Sequence, residues 1–187
     1  MLNLSTTKIL IPKDVEAVFD SSSHTLILKK DERQNVVQLS KNINTTIDSN
    51  YISININTEK KLKNNLYKKY LNTNIALIKQ NLKGLKQPFK LKLKLIGIGF
   101  KCDLSENQLE LKIGYSHICN IDIPKEITVN LINSTTIACC GSSWNELTNF
   151  AAKVKRVKTM DPYKIKGIFL EHEHINIRKK EGKKNKK

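Results

Sequence analysis

Hydrophobic and polar residues alternate along several short stretches of the chain, as they do in strands with one buried face. The clearest stretches are residues 51–57 (YISININ) and residues 90–95 (KLKLKL), which place apolar side chains inward and polar ones outward. Residues 100–104 and 109–113 also read as strands, and the polar residues 105–107 between them predict a turn. The pattern indicates a mainly antiparallel β architecture.

One of these patterns occurs twice. Residues 11–28 (IPKDVEAVFDSSSHTLIL) and residues 123–139 (IPKEITVNLINSTTIAC) both open with Ile-Pro-Lys and an acid. Each continues as an extended run, crosses a small polar cluster and returns as a second apolar run. Proline favours the beginning or the edge of a strand, and the polar cluster favours a turn. The sequence therefore predicts one β-hairpin in each half of the chain.

Two segments are expected to be helical. The first covers residues 60–85, most clearly Ile75 to Leu85, and is predicted to end at Gly84. The second begins after Ser143, which forms a capping box with Glu146 three residues later. Its predicted apolar face consists of Trp144, Leu147, Phe150, Ala151, Val154 and Val157. Trp144 and Phe150 are expected to anchor the core.

These elements predict an α+β fold of two tandem homologous domains, each a small, mainly antiparallel β-sheet packed with one helix. The expected boundaries are residues 1–87 for a diverged N-terminal repeat and residues 88–170 for a C-terminal repeat. A basic tail, residues 171–187, follows.

The distribution of charge agrees with a repeat and indicates a partner. The chain has 33 basic and 17 acidic residues and a net charge of +16, which favours a polyanion such as nucleic acid. Residues 1–57 and 88–152 are neutral, whereas residues 58–87 carry +7 and residues 153–187 carry +9. Lysine supplies 30 of the cations, beside 23 Ile and 20 Asn but 5 Ala, so part of the lysine content reflects A+T-rich codons.

Other kinds of chemistry are poorly supported. Gly97 and Gly99 lack the third glycine of a dinucleotide loop and more often mark a bulge or a close backbone approach. The four cysteines form no C-x-x-C pair, which argues against a metal site, and no catalytic constellation stands out. No apolar run is long enough to span a bilayer. We therefore expect no enzyme activity, no cofactor and no membrane partner.

Four blocks in the second half carry a family resemblance. They are residues 96–100 (IGIGF), 114–117 (GYSH), 123–129 (IPKEITV) and 162–168 (PYKIKGI), followed by a basic tail. In this order they resemble the ribosomal large-subunit protein L6 family (uL6). The resemblance covers residues 88–187 well and residues 11–87 more loosely.

The resemblance implies two tandem copies of a β-sheet with one helix, and a structural role in the large ribosomal subunit. The implied partners are large-subunit rRNA near the sarcin–ricin loop and the translation-factor-binding region, neighbouring ribosomal proteins and, indirectly, translation factors. Together with the codon bias, the resemblance favours a location in a mitochondrial ribosome. A plastid or an A+T-rich bacterial cytoplasm is the alternative location.

The chain departs from the family in the loop before the tail. The family writes this loop as PEPYKGKG, whereas Met160, Asp161 and Ile165 stand here for the first proline, the glutamate and the first glycine. Isoleucine disfavours a positive φ. We therefore expect Ile165 to avoid the left-handed backbone conformation that glycine allows.

The predicted rRNA contacts lie around this loop and in the tail. Tyr163 is expected either to stack on a base or to cap the domain core, and Pro162 and Gly167 to fix where the lysines point. The full predicted set is Lys153, Arg156, Lys158, Pro162, Tyr163, Lys164, Lys166, Gly167, Arg178, Lys179, Lys180, Lys183 and Lys184.

Two rival functions remain at this stage. One is a free-standing basic RNA- or DNA-binding regulatory protein, and the other is a nucleic-acid-processing enzyme, which no acidic cluster supports.

Overall fold

A computed structural model describes residues 7–31, 33–40, 43–48, 50–56 and 64–178. For residues 56 and 64–67 it describes the backbone alone. These described residues form thirteen strands and two helices. The strands are β1 (Thr7–Leu10), β2 (Glu16–Asp20), β3 (Thr25–Lys30), β4 (Arg33–Gln38), β5 (Ile43–Ile47), β6 (Tyr51–Ile56), β7 (Phe89–Ile96), β8 (Lys101–Ser105), β9 (Gln108–Lys112), β10 (Cys119–Asp122), β11 (Ile127–Asn133), β12 (Thr136–Gly141) and β13 (Gly167–Leu170). The helices are α1 (Asn64–Lys86) and α2 (Trp144–Val157).

The chain divides into two compact units. Unit 1 takes the chain up to Pro88 together with Ser142–Trp144, and unit 2 takes Phe89–Gly141 together with the chain from Asn145 onward. Each unit has its own hydrophobic core, built around Leu26, Ile54 and Ile78 in unit 1 and around Leu93 and Ile137 in unit 2. All five of these side chains are fully buried.

Each unit contains two sheets, where the sequence predicted one. Unit 1 has the strand orders β2-β3-β4 and β1-β6-β5, and unit 2 has the orders β11-β12-β7-β13 and β10-β9-β8. All the pairings are antiparallel. The α+β class with tandem units is confirmed. The second sheet escaped prediction because β1, β4, β5 and β10 are only four to six residues long, too short for a clear period.

Both repeated hairpins form as predicted, and both are preceded by the same turn. The Val15 amide donates to the Pro12 carbonyl, and the Ile127 amide donates to the Pro124 carbonyl, each at 3.0 Å. The proline of each Ile-Pro-Lys segment therefore opens a turn just before the strand and is not part of the strand.

A second pair of hydrogen bonds ties these turns to the other sheet of each unit. The Ile11 amide donates to the Asn50 carbonyl, and the Ile123 amide donates to the Asn107 carbonyl, each at 2.9 Å. With this equivalence, β1-β6-β5 corresponds to β10-β9-β8, and β2-β3-β4 corresponds to β11-β12-β7. The order of equivalent strands along the chain differs between the units. The first described strand of unit 1, β1, corresponds to β10, whereas the first strand of unit 2, β7, corresponds to β4.

Helix α1 runs past its predicted end. It continues through Gly84 to Lys86, and Gly84 is buried. A glycine on the buried side allows close packing, so it does not end the helix here. Lys83 and Lys86 lie in the last turn, where positive charge stabilises the helix dipole.

Helix α2 buries most of its predicted apolar face. Leu147, Phe150, Ala151 and Val154 belong to the core of unit 2. Trp144 does not, because it is only half-buried and groups with unit 1. The prediction of Trp144 as an anchor of the core beside its own helix was therefore wrong.

The predicted capping acid of α2 has a different partner. The Glu146 carboxyl hydrogen-bonds with the carboxyl of Glu126, which precedes β11, and this bond, burial and the like charge raise the pKa of Glu146 to about 7. Two carboxyl groups this close hold one proton between them more favourably than none. The proton is thus part of the packing between α2 and the turn before β11.

We expect the substitution Glu146→Gln to stabilise the protein at pH 8 more than at pH 5. The folded pKa is raised, so the stabilisation from this group is full below the unfolded pKa and is lost as the pH rises through about 7. The glutamine keeps a donor for Glu126 and never acquires the like charge. Denaturant unfolding at the two pH values measures the effect.

Glu106→Gln, an exposed acid in the β8–β9 turn, is the matched control. It should shift stability equally at both pH values. An equal shift for Glu146→Gln would contradict the shared proton.

Candidate nucleic-acid interface

The loop between α2 and β13 presents the predicted contact residues. Helix α2 ends at Val157, and the chain returns at Gly167 as β13, which pairs antiparallel with β7 so that Gly167 lies opposite Ile96. Residues 158–166 form the loop, called here the basic loop. The sequence did not predict β13. Because α2 and β13 flank the basic loop, it is anchored on both sides by regular structure.

Asp161 closes the basic loop on itself. Its amide donates to the Lys166 carbonyl at 3.0 Å, and its carbonyl accepts from the Ile165 amide at 2.9 Å. Its carboxylate accepts from the Tyr163 amide at 2.9 Å. A short acidic side chain that bonds the backbone two residues on is a common way to fix a turn. The residue that replaces the family's glutamate therefore organises the loop.

The expectation that Ile165 avoids a positive φ was wrong. Its φ is 55°, in the left-handed region. This conformation costs a non-glycine residue on the order of 1–3 kcal/mol and persists where surrounding contacts fix it. Here the hydrogen bond to Asp161 and the adjoining bridge between Asp161 and Lys166 hold the backbone in place. Ile165 thus adopts a positive φ, which glycine would tolerate freely, at the expense of local strain.

Gly167 is required by a close backbone approach. Its φ is 149°, and a Cβ at this position would lie 2.6 Å from the Met160 Cα and 2.9 Å from the Met160 amide nitrogen. Backbone atoms cannot move aside as a flexible side chain can. The start of β13 therefore presses against the start of the basic loop, and only glycine permits it.

The loop directs three of its predicted contact side chains outward. Tyr163 is 49% exposed, and Lys164 and Lys166 are also exposed. Neither lysine forms an ion pair with an acid of the described residues. Pro162 is half-buried, and its carbonyl accepts from the Arg178 amide at 3.2 Å. This hydrogen bond holds the Arg178 backbone against the loop, although the two residues are sixteen positions apart in the sequence.

Lys153 and Arg156 are exposed in the last two turns of α2. Of the other predicted tail cations, Lys179, Lys180, Lys183 and Lys184 lie outside the described residues.

Lys158 has a partner within the protein, which the sequence did not indicate. Its ammonium group lies over the Tyr115 ring, 4.2 Å from the centroid. The Tyr115 hydroxyl donates to the Val157 carbonyl at 3.0 Å, at the end of α2, and its ring stacks on His117 at 5.9 Å between centroids. Tyr115 and His117 belong to the GYSH block, so that block positions the base of the basic loop.

A third loop meets this end of unit 2 through Phe100. A Cβ on Gly97 would lie 2.7 Å from the Phe100 ring, and one on Gly114 would lie 3.3 Å from it. The close approach at Gly97 is to a side-chain ring and not, as the sequence had suggested, to backbone. The ring therefore links the β7–β8 loop to the GYSH block, and Ile98 at the tip of that loop is 90% exposed.

The acids after β13 are engaged by other lysines. The Lys94 and Lys92 ammonium groups lie 3.0 and 3.4 Å from the Glu171 carboxylate, and their hydrogen bonds lower its pKa. Lys155 pairs with Glu173 and lowers the pKa of that carboxyl in the same way. Glu171 and Glu173, the two acids that follow β13, are thus occupied, and Lys164 and Lys166 have no ionic partner among the residues that the structure describes.

Within the described ranges, no group of three or more His, Cys, Asp or Glu side chains is placed to hold a metal ion. No helix of the described chain is long and apolar enough to cross a membrane.

Comparison with known proteins decides the family. A family model described as ribosomal protein L6 matches residues 96–169, from the end of β7 to β13. The large ribosomal subunit protein uL6 of Limosilactobacillus reuteri is 36% identical over 146 residues, which cover 78% of this chain and 79% of the relative. The chain belongs to the uL6 family. The uL6 protein of Listeria welshimeri is 29% identical over 183 residues, 98% of each chain, so the similarity to uL6 also extends through unit 1.

Membership of the uL6 family confirms several predictions. It confirms the resemblance drawn from the four blocks, the tandem α+β fold and a structural, non-enzymatic role in the large ribosomal subunit. A third uL6 relative, from Mycoplasmoides gallisepticum, is 39% identical over 104 residues, which cover 56% of each chain. The three relatives are bacterial, and the individual rRNA contacts remain predictions.

We expect Gly167→Ala to destabilise this uL6 protein by more than 2 kcal/mol, because the new Cβ meets backbone atoms and adopts a strained φ. Gly99→Ala is the matched control, since Gly99 also has a positive φ of 75° but nothing within 4 Å of a Cβ. The control should cost about 1 kcal/mol. Denaturant unfolding measures both, and equal losses would contradict the close approach at Gly167.

Proposed function

We propose that this uL6 protein is a structural constituent of the large ribosomal subunit that binds large-subunit rRNA through the basic loop and the cations beside it. The observation that carries the proposal is the closed basic loop, which holds Tyr163, Lys164 and Lys166 outward with no acid of the described residues paired to either lysine. Because the backbone of the loop is already fixed, its lysines bind phosphate with little further loss of backbone freedom.

Phosphate neutralisation supplies the binding energy in this proposal. Each lysine or arginine that meets a phosphate releases condensed counterions, so affinity falls as salt rises. Lys153 and Arg156 on α2, and Arg178 against Pro162, extend the positive surface around the loop. The tail residues Lys179, Lys180, Lys183 and Lys184 would add contacts of the same kind.

The exposure of Tyr163 favours base stacking over capping the core, because about half of the residue remains open to solvent.

Lys158 contributes to the proposed interface in a different way. Its ammonium group lies over Tyr115, so we assign it first to positioning the loop and second to the field around it.

The position of the protein within the subunit and the compartment of its ribosome are proposed from the sequence and not from the basic loop. Placement near the sarcin–ricin loop and the factor-binding region, with neighbouring ribosomal proteins as partners, rests on the family resemblance. A mitochondrial ribosome is proposed from the Lys, Asn and Ile bias. The bacterial relatives are compatible with the alternative of an A+T-rich bacterial cytoplasm.

We expect the double variant Lys164→Gln and Lys166→Gln to bind a large-subunit rRNA transcript more weakly. A plot of the logarithm of its association constant against the logarithm of the salt concentration should have a slope shallower by about 1.4 to 1.8. Both side chains are exposed, so the fold should be unaffected. Filter binding or fluorescence anisotropy between 0.05 and 0.2 M salt, on the order of physiological ionic strength, measures the slope.

The matched control is Lys90→Gln with Lys125→Gln, which removes the same charge from the other end of unit 2. Lys90 adjoins Phe89, which pairs with Gly141, and Gly141 pairs with Ile127 near Lys125. The control should keep the parent slope. Equal slopes for the loop variant and the parent would remove the basic loop from the interface.

Sedimentation separates the proposal from a free-standing regulator. A structural constituent should remain with the large subunit after a moderate salt wash, whereas a regulator should stay in the soluble fraction.

A further inference from the structure

Helix α1 of unit 1 carries a row of lysines that the proposed interface does not use. Lys68, Lys69, Lys79, Lys83 and Lys86 are all exposed. At about 100° per residue, these five positions fall within an arc of about 100° along one side of the helix. We call this row the α1 stripe, and from Lys68 to Lys86 it spans about 27 Å of helix.

The stripe contains no compensating acid. Helix α1 has no Asp or Glu at any of its positions, and its first turn lacks the acid that a helix dipole favours. None of the five lysines forms an ion pair with an acid of the described residues. A solvated helix surface usually intersperses both signs, which stabilises it through pairs at i and i+4.

Codon bias does not account for this arrangement. Residues 1–57, subject to the same bias, carry six cations and six acids. One lysine there, Lys30, lies 3.6 Å from the carboxylate of Asp14. An A+T-rich genome raises the number of lysines but does not exclude acids from one helix. The exclusion is therefore a property of α1.

The other side of α1 determines which polyanion fits. Leu71, Ile78, Leu82 and Leu85 are buried in the core of unit 1. A helix that binds a bilayer surface must bury a free apolar face in it, and α1 has already buried that face in its own unit. What remains exposed on the other side is a row of lysines, which suits a phosphate backbone and needs no base edge.

We propose that the α1 stripe is a second RNA-binding surface, through which unit 1 contacts rRNA phosphates independently of the basic loop. The partner class, RNA, rests on the proposed function, whereas the surface is separate from the one proposed there. The stripe contributes affinity and orientation without sequence preference.

The test uses the full chain and a large-subunit rRNA transcript. The stripe variant replaces Lys79, Lys83 and Lys86 with Gln, which is nearly as good a helix former as Lys. At about 0.15 M salt its affinity should fall by about 10-fold to 100-fold, and its salt slope should become shallower by about 2 to 3. Circular dichroism and thermal unfolding should match the parent.

The matched control replaces Lys8, Lys13 and Lys29 with Gln. It removes the same charge from exposed positions of unit 1 outside α1. We expect the control to keep nearly the parent affinity and slope, because residues 1–57, which contain these lysines, carry as many acids as cations. Equal losses for the stripe variant and the control would overturn the proposal, because they would show dependence on net charge alone.

The loop variant of Lys164 and Lys166, measured in parallel, separates the two proposals. Weaker binding of the loop variant with unchanged binding of the stripe variant would overturn the α1 stripe and leave the basic loop in place. The reverse result would support the α1 stripe and remove the basic loop. Loss of binding to phosphatidylserine vesicles by the stripe variant, with unchanged rRNA affinity, would overturn the RNA assignment in favour of a lipid surface.

Discussion

The contact between the backbones of Gly167 and Met160 is the constraint on which the exposed end of unit 2 depends. It brings the first residue of β13 against the first turn of the basic loop, at a distance that no side chain tolerates. Because β13 is then held in register with β7, the loop has fixed ends on a buried sheet. The strain at Ile165 and the bonds around Asp161 follow from closing six residues across this gap.

The cations of the protein fall into two groups, those with a partner inside the protein and those without one among the described residues. Lys92, Lys94 and Lys155 pair with the acids after β13 and hold that segment to the sheet and to α2, and Lys158 holds the loop to Tyr115. Side chains in these roles stabilise the protein. The lysines of the basic loop and of the α1 stripe have no such partner among the described residues, which leaves them available to the phosphates of a partner.

Short-range patterns in the sequence predicted both hairpins, the buried face of α2 and the family blocks, because alternation and helical spacing report burial directly. They did not predict β13, the role of Tyr115 or the return of Arg178 to Pro162, since each depends on residues that meet only after folding. Ile165 shows the limit most clearly. Isoleucine intrinsically disfavours a positive φ, but the hydrogen bonds of the surrounding loop hold Ile165 in one.

The most direct test of the account is the chemical reactivity of single lysines in assembled large subunits and in the free protein. Acetylation by acetic anhydride, quantified by mass spectrometry, reports each ammonium group separately. We expect Lys164 and Lys166, which are exposed in the free chain, to become protected in the subunit, while Lys90 and Lys125 stay reactive. Undiminished reactivity of Lys164 and Lys166 in the subunit would contradict the account, because it would leave the basic loop in solvent.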